Sequence, residues 1–335
     1  MGYILDSENF DEVILRLSES YKVIGPVNFE GKARFSDQDY VGYGEIGKTS
    51  DIEVDEKSYM SAKEAVFPTR EVLFRFNDDE ENVPKLDEKE VILILRACDV
   101  NAMDRLDTMY LENGNVKDYY YNRRRNKVKM FLLECNSSFD SCFCVSMGTN
   151  EAKDYDLGFR VKDGKVSVEV KNEEFDKYFD NQSCDDYKVK FIDKNTLEVK
   201  IPPVDKVNKS HFDHEIWTEY TSRCIACGRC NTSCPTCSCF TMQDLTYGAD
   251  KKSGERRRVW ASCHIDEYSH MAGGHSFRKK NGEKMRFKTM HKINDYHRRF
   301  DKHMCVGCGR CDDVCPEYIS FAKCINKLNK IIEEE

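Results

Sequence analysis

One cysteine spacing occurs twice in this chain, and it limits what the surrounding residues can fold around. Cys224, Cys227, Cys230 and Cys234, followed by Pro235, form a C-x2-C-x2-C-x3-C-P run. Cys305, Cys308, Cys311 and Cys315, followed by Pro316, form a second. Thiols at this spacing suit a backbone that curls around one bound object. Gly228 and Gly309, which lack a side chain, let the backbone approach that object closely. The prolines then turn the chain away. A 4Fe-4S cubane held by cysteine thiolates meets this description.

The run is that of bacterial ferredoxins, in which the fourth cysteine of each copy binds the other cluster. The expected sets are therefore Cys224, Cys227, Cys230 with Cys315, and Cys305, Cys308, Cys311 with Cys234. Zinc is the competing reading of C-x2-C pairs. Zinc sites rarely use such consecutive spacings, and here they occur in duplicate. The chain has 17 cysteines, an odd number, and its amino terminus shows no basic region followed by an apolar stretch. Metal ligation in a reducing, cytoplasmic setting is thus expected in place of a disulfide framework. The longest aliphatic run, Val91–Leu95, is far too short for a membrane span. A net charge of −8 argues against a nucleic-acid partner.

Before the first repeat the pattern is α/β. Phe10, Val13, Ile14 and Leu17 have helical spacing. Val91–Leu95 and Val128–Leu133 read as buried strands, with a helix over Asn101–Leu111 between them. Phe159–Val161 and Val166–Val170 flank Asp163 and Gly164, a hairpin signal. Thr196–Ile201 alternates like one more strand, and Pro202-Pro203 then marks a boundary. The expected organisation is an α/β domain over 1–205 and an α-helical, ferredoxin-like domain with two clusters over 206–335.

Cys98 and Cys135 follow the two buried strands. If those strands are parallel neighbours, both thiols emerge at the carboxyl edge of the sheet, where α/β proteins place ligands. Cys142 and Cys144 follow in the next loop, so the four make a candidate shell for a third 4Fe-4S cluster. The plainer alternative is that Cys98 and Cys135 are small buried hydrophobes. Cys184 and Cys324 stand alone and read as structural. Cys237, Cys239 and Cys263 are expected to line the clusters, with a ligand role for any one of them as the less favoured alternative.

Gly42–Thr49 matches the phosphate-loop pattern GxxxxGK[ST]. Its context is wrong, because the preceding segment is polar and Ser50–Lys57 alternates like a strand and is acidic. A glycine-rich turn is expected there. Arg256–Arg258 and the stretch from Arg278 to Lys292 read as a solvated basic face, with docking of an acidic redox partner as the alternative. The histidines show no metal-binding spacing.

The segments Cys224–Thr241, Gly254–Cys263, Met271–Phe277 and His303–Phe321 resemble the iron–sulfur subunit of anaerobic sulfite reductase. The likeness extends to Arg96–Asp99, Tyr119–Arg125 and Cys142–Cys144, so it covers most of the chain. The β subunits of sulfhydrogenase-type nickel–iron hydrogenases share the cysteine layout. The resemblance implies an iron–sulfur subunit without catalytic residues of its own. It would relay electrons from an NADH-oxidising flavin subunit to a sirohaem subunit that reduces sulfite to sulfide. The electron-transfer β subunit of a sulfhydrogenase is the alternative. The resemblance also implies a cluster site in the first domain.

Overall fold

The computed structural model describes residues 1–33, 36–78, 80–249 and 251–335. β1 (Gly2–Asp6) leads into α1 (Ser7–Ser20), which buries Phe10, Val13, Ile14 and Leu17 along one face. β2 (Tyr21–Phe29) and β3 (Tyr40–Glu45) pair antiparallel, and β4 (Arg70–Asn77) pairs with β5 (Glu80–Asn82) in a separate sheet. β6 (Glu90–Leu95), α2 (Ala97–Asp107), α3 (Tyr119–Arg125) and β7 (Val128–Leu133) follow. The hairpin of β8 (Leu157–Lys162) and β9 (Lys165–Val170) turns at Asp163 and Gly164, both left-handed, and β10 (Cys184–Asp185) is a short edge.

The large sheet has the order β10-β1-β9-β8-β7-β6-β2-β3, with β2, β6, β7 and β8 mutually parallel. β6 and β7 are near-continuously apolar because both faces are covered. Ile92, Ile94 and Phe131 pack with α1 on one side, and Leu93, Leu95 and Leu132 pack with α2 and α3 on the other. The expected strand–helix–strand unit is therefore present, and its two strands are parallel neighbours.

Thr196–Ile201 is not a strand; the chain from 186 to 203 has no regular secondary structure. Side chains, not a ladder, satisfy its backbone. Glu134 accepts from Lys190 N at 2.6 Å, Ser146 Oγ from Val199 N at 3.0 Å, and Asn326 Oδ1 from Lys200 N at 2.8 Å. Ser50–Lys57, also expected to alternate like a strand, is likewise irregular apart from a short turn at Thr49–Asp51.

The carboxyl-terminal part contains α4 (Lys209–Asp213), α5 (Thr218–Arg223), α6 (Arg229–Thr232), β11 (Phe240–Thr246), β12 (Gly254–Trp260), α7 (Asn281–Met290), α8 (Tyr296–Phe300), α9 (Arg310–Asp313) and α10 (Phe321–Glu334). An all-helical domain is thus not what forms. β11 and β12 are a hairpin, and β12 pairs with β4, giving a second sheet of order β11-β12-β4-β5 built from both parts of the chain. The arginine run lies on β12 and is not simply a solvated face. Arg258 is 1% exposed and donates to Glu71 Oε2 at 2.9 Å and Asp118 Oδ2 at 2.8 Å. Tyr220, Met285, Phe321, Ile325 and Leu328 join α5, α7 and α10 in a further core. Among the described residues no helix is long and apolar enough to cross a membrane.

Candidate metal centres

The two cysteine repeats adopt the same backbone. Ala226 and Gly307 are left-handed (φ 55° and 61°), as are Gly228 and Gly309 (φ 74° and 70°). A short helix, α6 or α9, begins immediately after each second glycine. This double left-handed turn curls the three leading thiols round one space. It also aims backbone N–H groups at sulfur: Ala226 N donates to Cys224 Sγ at 3.4 Å and Gly307 N to Cys305 Sγ at 3.5 Å. The left-handed Ala226 costs about 1–2 kcal/mol in a non-glycine residue.

Cys224, Cys227 and Cys230 line one cavity, and Cys315 from the distant repeat lines it with them. Ile319 N donates to Cys315 Sγ at 3.3 Å. The second set is Cys305, Cys308, Cys311 and Cys234. Burial raises the first three, to about 12 for Cys305 and about 11 for Cys308, and the charge of Cys234 raises each further. Cys234 itself is lowered, chiefly by a hydrogen bond from Cys237. Cys315 thus lies with the three leading thiols of the first repeat, Cys311 borders the same cavity, and Cys234 is close enough to Cys305, Cys308 and Cys311 for its charge to act on them.

The third candidate set also converges. Cys98 lies in the first turn of α2, Cys135 just beyond β7, and both face a cavity at the carboxyl edge of the large sheet with Cys142 and Cys144. Arg96 Nη1 donates to Cys135 Sγ at 3.6 Å, Lys57 Nζ to Cys142 Sγ at 3.8 Å and Asn195 Nδ2 to Cys144 Sγ at 3.6 Å. This cavity abuts the second repeat. Phe143 N donates to Gly307 O at 2.8 Å, Lys57 Nζ to Cys308 O at 2.9 Å, and Cys98 packs on Val306 and Cys308. Tetrahedral zinc gathers its donors within about 2.3 Å of one point. Among the described residues no three His, Cys, Asp or Glu side chains gather in that way; the thiols are spread round cavities.

Residues 223–319 match the family described as 4Fe-4S dicluster domain. That span holds both repeats. The chain is also 29% identical, over 350 aligned residues covering 98% of this chain and 99% of the relative, to sulfhydrogenase 2 subunit beta of Pyrococcus furiosus. Together these matches support the role of an iron–sulfur electron-transfer subunit in an oxidoreductase-type complex.

Sequence reasoning missed the buried lysines around the two repeats. Lys63, Lys288 and Lys292 are 2–3% exposed and, among the described residues, form no ion pair with a carboxylate. Lys292 Nζ donates to Cys234 Sγ at 3.4 Å and Thr236 Oγ1 at 2.9 Å. It stands on a widened turn, His291–Asp295, that interrupts the ordinary helical hydrogen bonding after α7. Lys63 donates to the carbonyls of Asn231 and Cys237 and lies 4.1 Å over the Trp260 ring. A lysine in a charged run carries no local signal of burial. His264 was passed over as well: its Nδ1 is 3.8 Å from Cys224 Sγ, and burial brings it down to about 3, so it is neutral.

The remaining cysteines divide. Cys237 and Cys263 are buried; Asn231 Nδ2 donates to Cys263 Sγ at 2.9 Å, and the Cys263 thiol brings Cys239 down to about 6. Cys324 is buried against Thr289, and Cys184 is exposed. At Gly42–Thr49 the last three backbone N–H groups go to acids outside the segment. Asp51 accepts from Gly47 N and Lys48 N at 2.9 and 3.0 Å, and Asp11 accepts from Thr49 N at 2.6 Å, so the donors a phosphate requires are taken.

Proposed function

We propose that this chain relays electrons as the β-type iron–sulfur subunit of a multi-subunit, sulfhydrogenase-like oxidoreductase, and that it holds three 4Fe-4S cubanes. The ligand sets are Cys224, Cys227, Cys230 and Cys315; Cys305, Cys308, Cys311 and Cys234; and Cys98, Cys135, Cys142 and Cys144. One observation carries this reading: each set keeps a buried or nearly buried cation at its sulfurs. Lys288 shares the first cavity, Lys292 contacts Cys234, and Lys57 with Arg96 contacts the third set. Lys288 and Lys292 have no carboxylate partner among the described residues, so neutral thiols would leave them unbalanced, whereas Lys57 also pairs with Asp313 Oδ2 at 2.7 Å. Four thiolates round a cubane form an anion, and the group supplies one-electron storage when bound. The chain holds the thiols, aims N–H groups at sulfur and excludes water.

The three sites form a row. Cys308 stands in the wall between the third and second sets, and Cys311 borders the cavity of the first. A row of this kind suits relay between two docked partners. For the first reading one of them is the nickel–iron subunit of a hydrogenase, in the cytoplasm. The motif likeness favours a second reading, the iron–sulfur subunit of anaerobic sulfite reductase, partnered by an NADH-oxidising flavin subunit and a sirohaem subunit. The near-full-length similarity to a sulfhydrogenase subunit supports the first.

Anaerobic purification from the native host tests both readings. Co-purification with a nickel–iron subunit is expected; a sirohaem protein in its place selects the second. Full loading should give about twelve iron atoms per chain, four for each cubane. Replacing Cys142 and Cys144 together by Ala should remove about four. Saturation near eight irons, unchanged by that double substitution, would overturn the third site.

A further inference from the structure

Three lysines follow one another at four-residue intervals along α7 and the widened turn after it, and each meets a different environment. Lys284 is buried but ion-paired with Asp266. Lys292 donates to Cys234. Lys288, between them, is 3% exposed, and among the described residues no carboxylate lies within ion-pair distance. Its Nζ lies over the Phe321 ring, 4.6 Å from the centroid, a cation–π contact that supplies no countercharge. It also lines the first cavity, where Cys230 and Cys315 meet Cys311 of the second set. A buried ammonium needs an anion to offset its lost hydration. Here the groups of opposite charge on both sides are cluster thiolates.

We infer that Lys288 is a counter-cation shared by the two cubanes of the dicluster domain, placed in the wall between them to favour the reduced state of both. The inference rests on the ligand sets proposed above. Reduction of either cubane adds one electron, and so one negative charge, beside the same ammonium. A cation there stabilises the reduced form of each more than the oxidised form, so it raises both reduction potentials. It acts through the clusters' surroundings, as a positioning residue that supplies no ligand.

The test is a redox titration followed by electron paramagnetic resonance on full-length, iron-loaded protein. In Lys288→Met both dicluster potentials are expected to move to more negative values, while the third cubane, with Lys57 and Arg96 as its own cations, stays in place. Lys288→Arg, which keeps the charge, is expected to return both toward wild type, a rescue that a loss of packing alone does not produce. Lys288→Gln serves the same purpose if the methionine variant does not load. Unchanged potentials in a loaded neutral variant overturn the inference, and so does movement of one cubane alone. If neither neutral variant loads while Lys288→Arg does, the lysine is an assembly determinant and the inference falls. Cys234→Ser and Cys315→Ser, measured alongside, report which cubane each thiol serves. A failure of the crossed ligand sets is thereby seen separately from a failure at Lys288.

Discussion

Asp99 and Arg310 lie on opposite sides of the seam between the large sheet and the second cysteine repeat. Arg310 Nη1 and Nη2 meet Asp99 Oδ1 and Oδ2 at 2.6 and 2.8 Å, and the same guanidinium donates to Ser58 O and Ser58 Oγ at 3.0 Å. Both side chains are 2% exposed. A buried bidentate pair adds little net stability over an apolar replacement, yet removing one partner strands the other charge at a cost of about 3–5 kcal/mol. Asp99→Asn should therefore lower the unfolding free energy of the loaded protein by about that amount. Denaturant titration checks this. The double change Asp99→Asn with Arg310→Met should recover part of the loss, because no guanidinium is then left unpaired. If the double variant is as unstable as the sum of its singles, the pair does not act as one energetic unit.

The paired turns at Gly228 and Gly309 share a conformation but have different neighbours. A Cβ on Gly228 would meet Ile265 Cγ1 at 2.9 Å and Ser262 Cβ at 3.2 Å, side-chain atoms with no backbone oxygen among them. A Cβ on Gly309 would lie 2.2 Å from the backbone oxygen of Ser141, in the loop that presents Cys142 and Cys144. Alanine at either position carries about 1–2 kcal/mol for the left-handed backbone. Gly309→Ala must also displace the third site's loop, so it alone should lose iron there. Iron content and melting temperature of the two variants, compared side by side, test the asymmetry. Nothing in the sequence separates these glycines, because each sits in the same Cys-Gly-Arg-Cys run and the difference comes from a loop far away in the chain. The grouping of three thiols in each repeat was legible because those residues are local, and the duplicated spacing led to the expectation that Cys315 would join the first repeat's cavity, which it lines. That Cys98, Cys135, Cys142 and Cys144 would face one cavity was legible because strand ends announce themselves as apolar runs. β12 was not legible: an arginine run reads as solvated until Glu71 and Asp118 are brought beside Arg258. The segment at Thr196–Ile201 was misread for the opposite reason, since its alternation is real while its backbone partners are side chains.

At the scale of the whole molecule the two parts are interleaved. β12 supplies the only strand beside β4 other than β5 among the described residues, and the second repeat forms a wall of the third site. A fragment ending at Pro202 would strip β12 from the edge of β4, leave Glu71 with Arg123 and Arg124 but without Arg258, and open the third cavity toward Gly307. That fragment is expected to unfold without a cooperative transition or to aggregate, whereas the loaded chain should unfold in one. Size-exclusion chromatography and denaturant titration distinguish the cases, and a soluble, cooperatively folding fragment would count against the interleaving. Exposure is also unequal along the row of sites. Of the cysteines in the three proposed sets, Cys227 alone is exposed; the others are half-buried or buried. Dioxygen and chelators therefore have one open door, and it belongs to the set at the end of the row. Exposed to air, the protein should decay from that end, giving up about four irons before the rest. A sample handled briefly in air would then look like a different protein, one still coloured, still folded and already severed from whichever partner that end serves.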